Sequence, residues 1–260
     1  NIIKEVIEVV KGIVFDLDGT LYLGEKAVHG AVETVSALAE QGYQVFYLTN
    51  NSGKTRRQII QKLNKMGFRE ASAGNAYCGS YAISAYLAGN KITPVYVIGT
   101  DDLKGELMSY DIMGEDGAAV AAVVVGIDPS FSYKKITMAL EAIDNGAKLI
   151  VANTDASYPV ENNHRLPGCG AMVAAIVAAT GHTPDFHVGK PNVYLLELLC
   201  REHNILPDEI CVVGDMPESD IQMAANFGCQ SILFDPKGVF PEFIGKRAEK
   251  FNEIISLINN

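Results

Sequence analysis

The sequence predicts an α/β fold: a parallel sheet with helices on both faces, interrupted by a large inserted α/β domain. Short apolar runs that end abruptly in polar residues occur at Ile13-Val14-Phe15, Val45–Leu48, Phe186–Val188 and Ile210–Val213, and each precedes a helical pattern. The middle third repeats a strand–helix alternation of its own. The polar residues that end those four runs all fall outside that middle span.

The first strand, Ile13-Val14-Phe15, is apolar on both faces, as a central parallel strand must be. It runs into Asp16-Leu17-Asp18-Gly19-Thr20. Carboxylates at the end of such a strand sit at the mouth where open α/β sheets bind ligands. Two of them aimed at one point call for a cation to offset their repulsion, although a plain acidic turn has the same composition. The next helix spans Ala31 to Gln41, with Val32, Val35 and Leu38-Ala39 on one face and Gly42 as its stop. Val45–Leu48 then leads into Thr49-Asn50-Asn51-Ser52, and a helix follows from Thr55 to Met66, closed by Gly67. Asn75 to Leu87 is helical in pattern, with Gly89-Asn90 and Pro94 as punctuation.

From there to Thr183 the expected strands are Val95–Ile98, Val120–Val125 and Lys148–Ala152, and the helices are Leu103–Tyr110 and Tyr133–Asn145. Pro167–Gly170 opens a small-residue helix, Met172–Thr180. The core then resumes: Phe186–Gly189 ends in Lys190-Pro191, and Ile210–Gly214 ends in Asp215, with Asp220 five residues on. Ser231–Phe234 and the tail Phe243–Ile258 complete the chain. The predicted division is a discontinuous core, 1–78 with 184–260, and an insertion, 79–183. Small residues at Cys78-Gly79-Ser80 and Gly181-His182-Thr183 suit its hinges. If the four polar ends gather along one sheet edge, they supply carboxylates, hydroxyl and amide donors and one Lys. Such a set suits a magnesium-held phosphate.

Asp16-Leu17-Asp18-Gly19-Thr20, Thr49-Asn50-Asn51, Gly189-Lys190-Pro191 and Gly214-Asp215 through Asp220 resemble, in order, the four motifs of the haloacid dehalogenase superfamily. Val125-Gly126-Ile127-Asp128 with Tyr133, Ala152-Asn153-Thr154-Asp155 and Leu166–Gly170 are similar to the large cap of its NagD-like subclass IIA. That group includes p-nitrophenylphosphatases and pyridoxal phosphate phosphatases. The resemblance implies a Rossmann-like core and a magnesium-dependent phosphatase acting on small phosphomonoesters through an aspartyl-phosphate. It makes Asp16 the nucleophile and Asp18 the general acid and base. It gives Mg2+ to Asp16, the Asp18 carbonyl and Asp215, with Asp220 either a direct ligand or just behind these. It assigns phosphate binding to Thr49, Asn50, Asn51 and Lys190, and cap specificity to Asp155 and Tyr158.

Plainer roles exist for three of these. Asp220 also suits a helix N-cap, Thr49–Ser52 a turn capping the next helix, and Lys190 a solvated position before a Pro-led helix. Glu218 and Met216-Pro217 depart from the usual pattern of that loop. Related pyridoxal phosphate phosphatases carry a His near the Tyr158 position, and its absence here argues against that substrate. His164 and His187 read as a loop residue and a strand residue. Gly168-Cys169-Gly170 reads as close packing at a helix start, not a phosphate loop.

Composition sets the remaining bounds. The 260 residues are 48% hydrophobic and 20% charged, an ordinary globular balance. A formal net charge of −10 argues against nucleic acid as a partner. The longest apolar runs, 118–125 and 172–180, are too short to span a bilayer, and 1–11 lacks the pattern of a secretory signal. Five cysteines, odd in number and without metal spacing, read as reduced thiols in a cytoplasmic protein. The expected partner is a small phosphorylated metabolite, and a homo-oligomer through the cap is compatible with the resemblance. Two rival functions remain: phosphoryl transfer to another acceptor, as in a mutase, and a non-catalytic phosphometabolite sensor, for which Asp18 would be superfluous. A dehalogenase needs neither Asp18 nor a metal.

Overall fold

A computed structural model describes residues 10–109, 112, 119–159 and 164–258. The reading of the first segment, and the expected helix end at Tyr110, fall at least partly outside those residues. The strands are β1 (Gly12–Asp16), β2 (Tyr22–Leu23), β3 (Lys26–Ala27), β4 (Gln44–Thr49), β5 (Ala76–Cys78), β6 (Val95–Ile98), β7 (Ala122–Val125), β8 (Lys148–Val151), β9 (Ser157–Pro159), β10 (Arg165–Pro167), β11 (Phe186–His187), β12 (Ile210–Gly214), β13 (Gln230–Phe234) and β14 (Arg247–Ala248). The helices are α1 (Ala31–Glu40), α2 (Arg56–Met66), α3 (Gly79–Gly89), α4 (Asp101–Met108), α5 (Tyr133–Asp144), α6 (Cys169–Thr180), α7 (Tyr194–His203), α8 (Gln222–Phe227) and α9 (Phe251–Ile258).

The chain divides into two compact units. The first takes the described residues of Asn1–Leu48, Lys62–Ala76 and Leu196–Asn260, the second Thr49–Gln61 and Tyr77–Leu195. A six-stranded sheet runs in the order β14-β13-β12-β1-β4-β5, parallel from β14 through β4. Strand β1 lies inside it, with Ile13, Val14 and Phe15 fully buried. Such burial on both faces explains the unbroken apolar run. Helix α1 buries Ala31, Thr34, Val35 and Leu38, the spacing of one helical face. Phe251 of α9 packs its ring 4.5 Å from Phe234 and 6.3 Å from Phe15, which closes the core on that side.

The second unit has its own four-stranded parallel sheet, β11-β8-β7-β6. Val123, Val124, Leu149 and Ile150 are fully buried in its middle. A hairpin pairs β9 with β10 and sets Tyr158 opposite Leu166.

Two expectations need correction. The four polar strand ends do not share one sheet: β1, β4 and β12 belong to the six-stranded sheet, whereas β11 pairs with β8, Phe186 opposite Ile150. The reason lies in packing, since the Phe186 ring stacks on Tyr86 of α3 at 4.0 Å and meets Tyr194 edge-on at 5.6 Å. The segment expected to start a helix at Asn75 instead forms buried strand β5, and the helix begins at Gly79.

Candidate active site

The end of β1 is built around three carboxylates. Asp16 is the last residue of β1 and 6% exposed. Asp215 follows β12, and Asp220 lies in the π-type turn Pro217–Ile221, 1% exposed. Carboxylate oxygens of Asp16, Asp215 and Asp220 all lie within 4.8 Å of one another. Two unit charges about 4 Å apart near a protein surface repel by roughly 4 kcal/mol, so the arrangement is costly without a cation. The donors are all hard oxygens, which fits a divalent ion of the magnesium type.

Backbone chemistry makes this crowding possible. Gly19 has φ +96°, and a Cβ there would sit 2.2 Å from an Asp215 carboxylate oxygen. A Cβ on Gly214 would lie 2.3 Å from that of Asp220. Both glycines are therefore required by close approach. Asp220 is not a helix N-cap. Its Oδ2 accepts the Met216 N–H at 3.1 Å and its own N–H donates to the Met216 carbonyl at 2.9 Å, so it closes the loop that carries Asp215.

Thr20, fully buried, has its hydroxyl 3.2 Å from Asp16 Oδ2 and 3.3 Å from Asp215 Oδ1. Its single proton serves one of them at a time. Asp18, two residues beyond Asp16, is exposed. Its carboxylate accepts the Tyr22 hydroxyl at 3.2 Å. Burial, aided by the Asp18 charge, pushes the Tyr22 phenol far above its ordinary range, so it remains a donor. Sequence reasoning gave neither Thr20 nor Tyr22 a role. Thr20 lay inside a motif that was quoted, but Tyr22 carried no signal beyond its position four residues after Asp18.

In the second unit, β4 ends at Thr49, one residue past Leu48, the register partner of Asp16. Thr49 Oγ1 accepts the Asn51 N–H at 3.1 Å, and Asn51 Oδ1 accepts the Gly53 N–H at 2.9 Å. The Asn51 N–H thereby closes a Thr-type turn. The loop is tied down further: Ser52 Oγ accepts the Ile127 N–H at 3.1 Å, and Thr100 donates to the Gly53 carbonyl at 3.2 Å. Lys190 is 5% exposed, and its N–H donates to Asn50 Oδ1 at 2.7 Å. Asn50 Nδ2 lies 3.2 Å from the Asp155 carboxylate. Asp155 and Tyr158 are themselves exposed.

A family model described as haloacid dehalogenase-like hydrolase matches residues 13–113, and a HAD-hydrolase-like model matches 187–240. Human glycerol-3-phosphate phosphatase is 34% identical over 249 residues, covering 85% of this chain and 77% of that protein. The chain belongs to the haloacid dehalogenase superfamily. Within it, this is a NagD-like phosphatase of subclass IIA, a phosphoric monoester hydrolase. Phosphoglycolate phosphatase 2 of Arabidopsis thaliana is 31% identical, covering 88% of this chain and 84% of that one. The p-nitrophenyl phosphatase of Archaeoglobus fulgidus matches with a TM-score of 0.88 at 23% identity, over 95% of this chain and 99% of that structure, and so shares the fold.

Other groups take no part in the carboxylate cluster. His164 is exposed and His187 half-buried in β11. All five cysteines are unpaired. Burial pushes the Cys169 and Cys200 thiols up to about 11 and those of Cys211 and Cys229 to about 12, which makes them poor nucleophiles at neutral pH. Among the described residues no helix is long and apolar enough to cross a membrane.

Proposed function

We propose that this phosphatase hydrolyses small phosphomonoesters through an aspartyl-phosphate on Asp16. The observation that carries the reading is the convergence of Asp16, Asp215 and Asp220 within 4.8 Å, with the buried Thr20 hydroxyl against the first two. Asp16, Asp215 and Asp220, with the Asp18 carbonyl, would hold Mg2+, whose charge would mask the negative phosphoryl oxygens. An Asp16 oxygen attacks phosphorus, the ester P–O bond breaks, and Asp18 gives its proton to the departing alkoxide. Asp18 then takes a proton from the water that attacks the acyl-phosphate, which frees inorganic phosphate and restores Asp16. The Thr49 hydroxyl, the Asn50 amide and the Lys190 ammonium serve the phosphoryl oxygens in both steps. The inserted α/β unit, 79–183, acts as the cap that sets specificity, through Tyr158 and Asp155. Relatives named for glycerol 3-phosphate and phosphoglycolate support a small polyol or hydroxy-acid phosphate as substrate.

The test is Asp16→Asn, which keeps the shape and removes the nucleophilic charge. Turnover of p-nitrophenyl phosphate should fall about a thousandfold or more, and rapid-quench labelling should mark wild type only. An Asn variant that still hydrolyses at a near wild-type rate would sink the covalent mechanism.

A further inference from the structure

Asn153 lies two residues beyond β8 and is 7% exposed, yet none of the roles above uses it. A buried carboxamide is costly unless both its ends are satisfied. Here they are: Nδ2 donates to the Asn50 carbonyl at 3.0 Å, and Oδ1 accepts the Asp155 N–H at 3.2 Å. Asn50 in turn grips the Lys190 peptide from both sides. Its Oδ1 accepts the Lys190 N–H at 2.7 Å, and its Nδ2 lies 3.2 Å from the Lys190 carbonyl and from Asp155 Oδ2. The three loops are in close contact, since a Cβ on Gly189 would lie 2.7 Å from Asn50 Oδ1 and 2.9 Å from Asn153 Cβ. Asp keeps the acceptor but not the donor, Ser is too short to span both bonds, and Leu offers neither.

We propose that Asn153 is a positioning residue for phosphate binding. By holding the Asn50 main chain it fixes the Asn50–Lys190 pairing, and with it the places of the Asn50 amide and the Lys190 ammonium. The inference rests on the reading that gives those two groups to phosphate. A purely structural Asn would change stability and leave the affinity of the folded protein for phosphate as it was.

The experiment titrates inorganic phosphate into the full-length protein with Mg2+ by calorimetry, beside thermal unfolding followed by circular dichroism. Asn153→Asp should weaken phosphate binding about 10-fold, the scale of one buried hydrogen bond. KM for p-nitrophenyl phosphate should rise by a similar factor, with kcat changed less than about 3-fold. Because part of the Asn153 effect runs through the Asn50 side chain's hold on Lys190, Asn153→Asp with Asn50→Ala should cost less than the sum of the two alone. Asn153→Ser removes the bonds without adding charge, and carries the test if the carboxylate unfolds the loop. A folded Asp or Ser variant with wild-type phosphate affinity overturns the proposal, as does full additivity with Asn50→Ala. Wild-type protein that binds no phosphate would instead defeat the reading of Asn50 and Lys190.

Discussion

Asp16 and Asp18 are two residues apart and chemically identical, yet their surroundings separate them. Asp16 is buried beside Asp215, Asp220 and the Thr20 hydroxyl, whereas Asp18 is exposed and accepts one bond from Tyr22. A carboxyl that must release and regain a proton gains from access to solvent, whereas a nucleophile needs only to reach the atom it attacks. Asp18→Asn should therefore slow esters with poor leaving groups by about 100-fold, while the first half-reaction of p-nitrophenyl phosphate slows less. Rapid-quench comparison of the two substrates checks it, and equal losses in that half-reaction contradict the acid role. At this scale the sequence pointed to the carboxylates but not to their supports. A period-two pattern places Asp16 and Asp18, but only the fold brings the Thr20 hydroxyl to Asp215, 195 residues further along the chain.

Among the elements, the turn after β1 carries the tightest constraint. Gly19 combines φ +96° with a Cβ position 2.2 Å from Asp215, so Gly19→Ala strains the backbone and displaces a carboxylate at once. The expected result is a rise of about 10-fold in the Mg2+ concentration for half-maximal activity, since misplacing a ligand's support typically has effects of that size. A metal titration of activity measures it, and an unchanged midpoint would show that the turn accommodates the methyl freely. Elements were legible in the sequence wherever burial enforces a period, as in β1, α1 and β12. They were misread where a short apolar stretch fits two neighbours equally well. Ala76-Tyr77-Cys78 has the composition of a helix start but is fully buried as a strand. Phe186-His187 looks like a core strand, and only its stacking against Tyr86 commits it to the other sheet.

At the scale of the whole molecule, the groups singled out above fall in two units. The three clustered carboxylates belong to the first unit, whereas Tyr158 lies on the β9–β10 hairpin of the second. That the chain holds two alternating α/β patterns was readable from its strand and helix order. Tyr158 is 36% exposed and its neighbour across the strand pair, Leu166, 46% exposed, so two large side chains are left partly open. In the proposed cap role such a pair meets the part of a substrate beyond its phosphate, where lost contact area changes discrimination, not chemistry. Tyr158→Ala should then change the ratio of kcat/KM between p-nitrophenyl phosphate and a polyol phosphate by about 10-fold. The aromatic ester should lose more, having the larger apolar face to stack. The Mg2+ midpoint and the affinity for inorganic phosphate should stay at wild-type values, because neither depends on the hairpin. Steady-state kinetics on both substrates, with a metal titration alongside, decide the matter: a uniform loss across substrates, or a shifted metal midpoint, would remove Tyr158 from the specificity role.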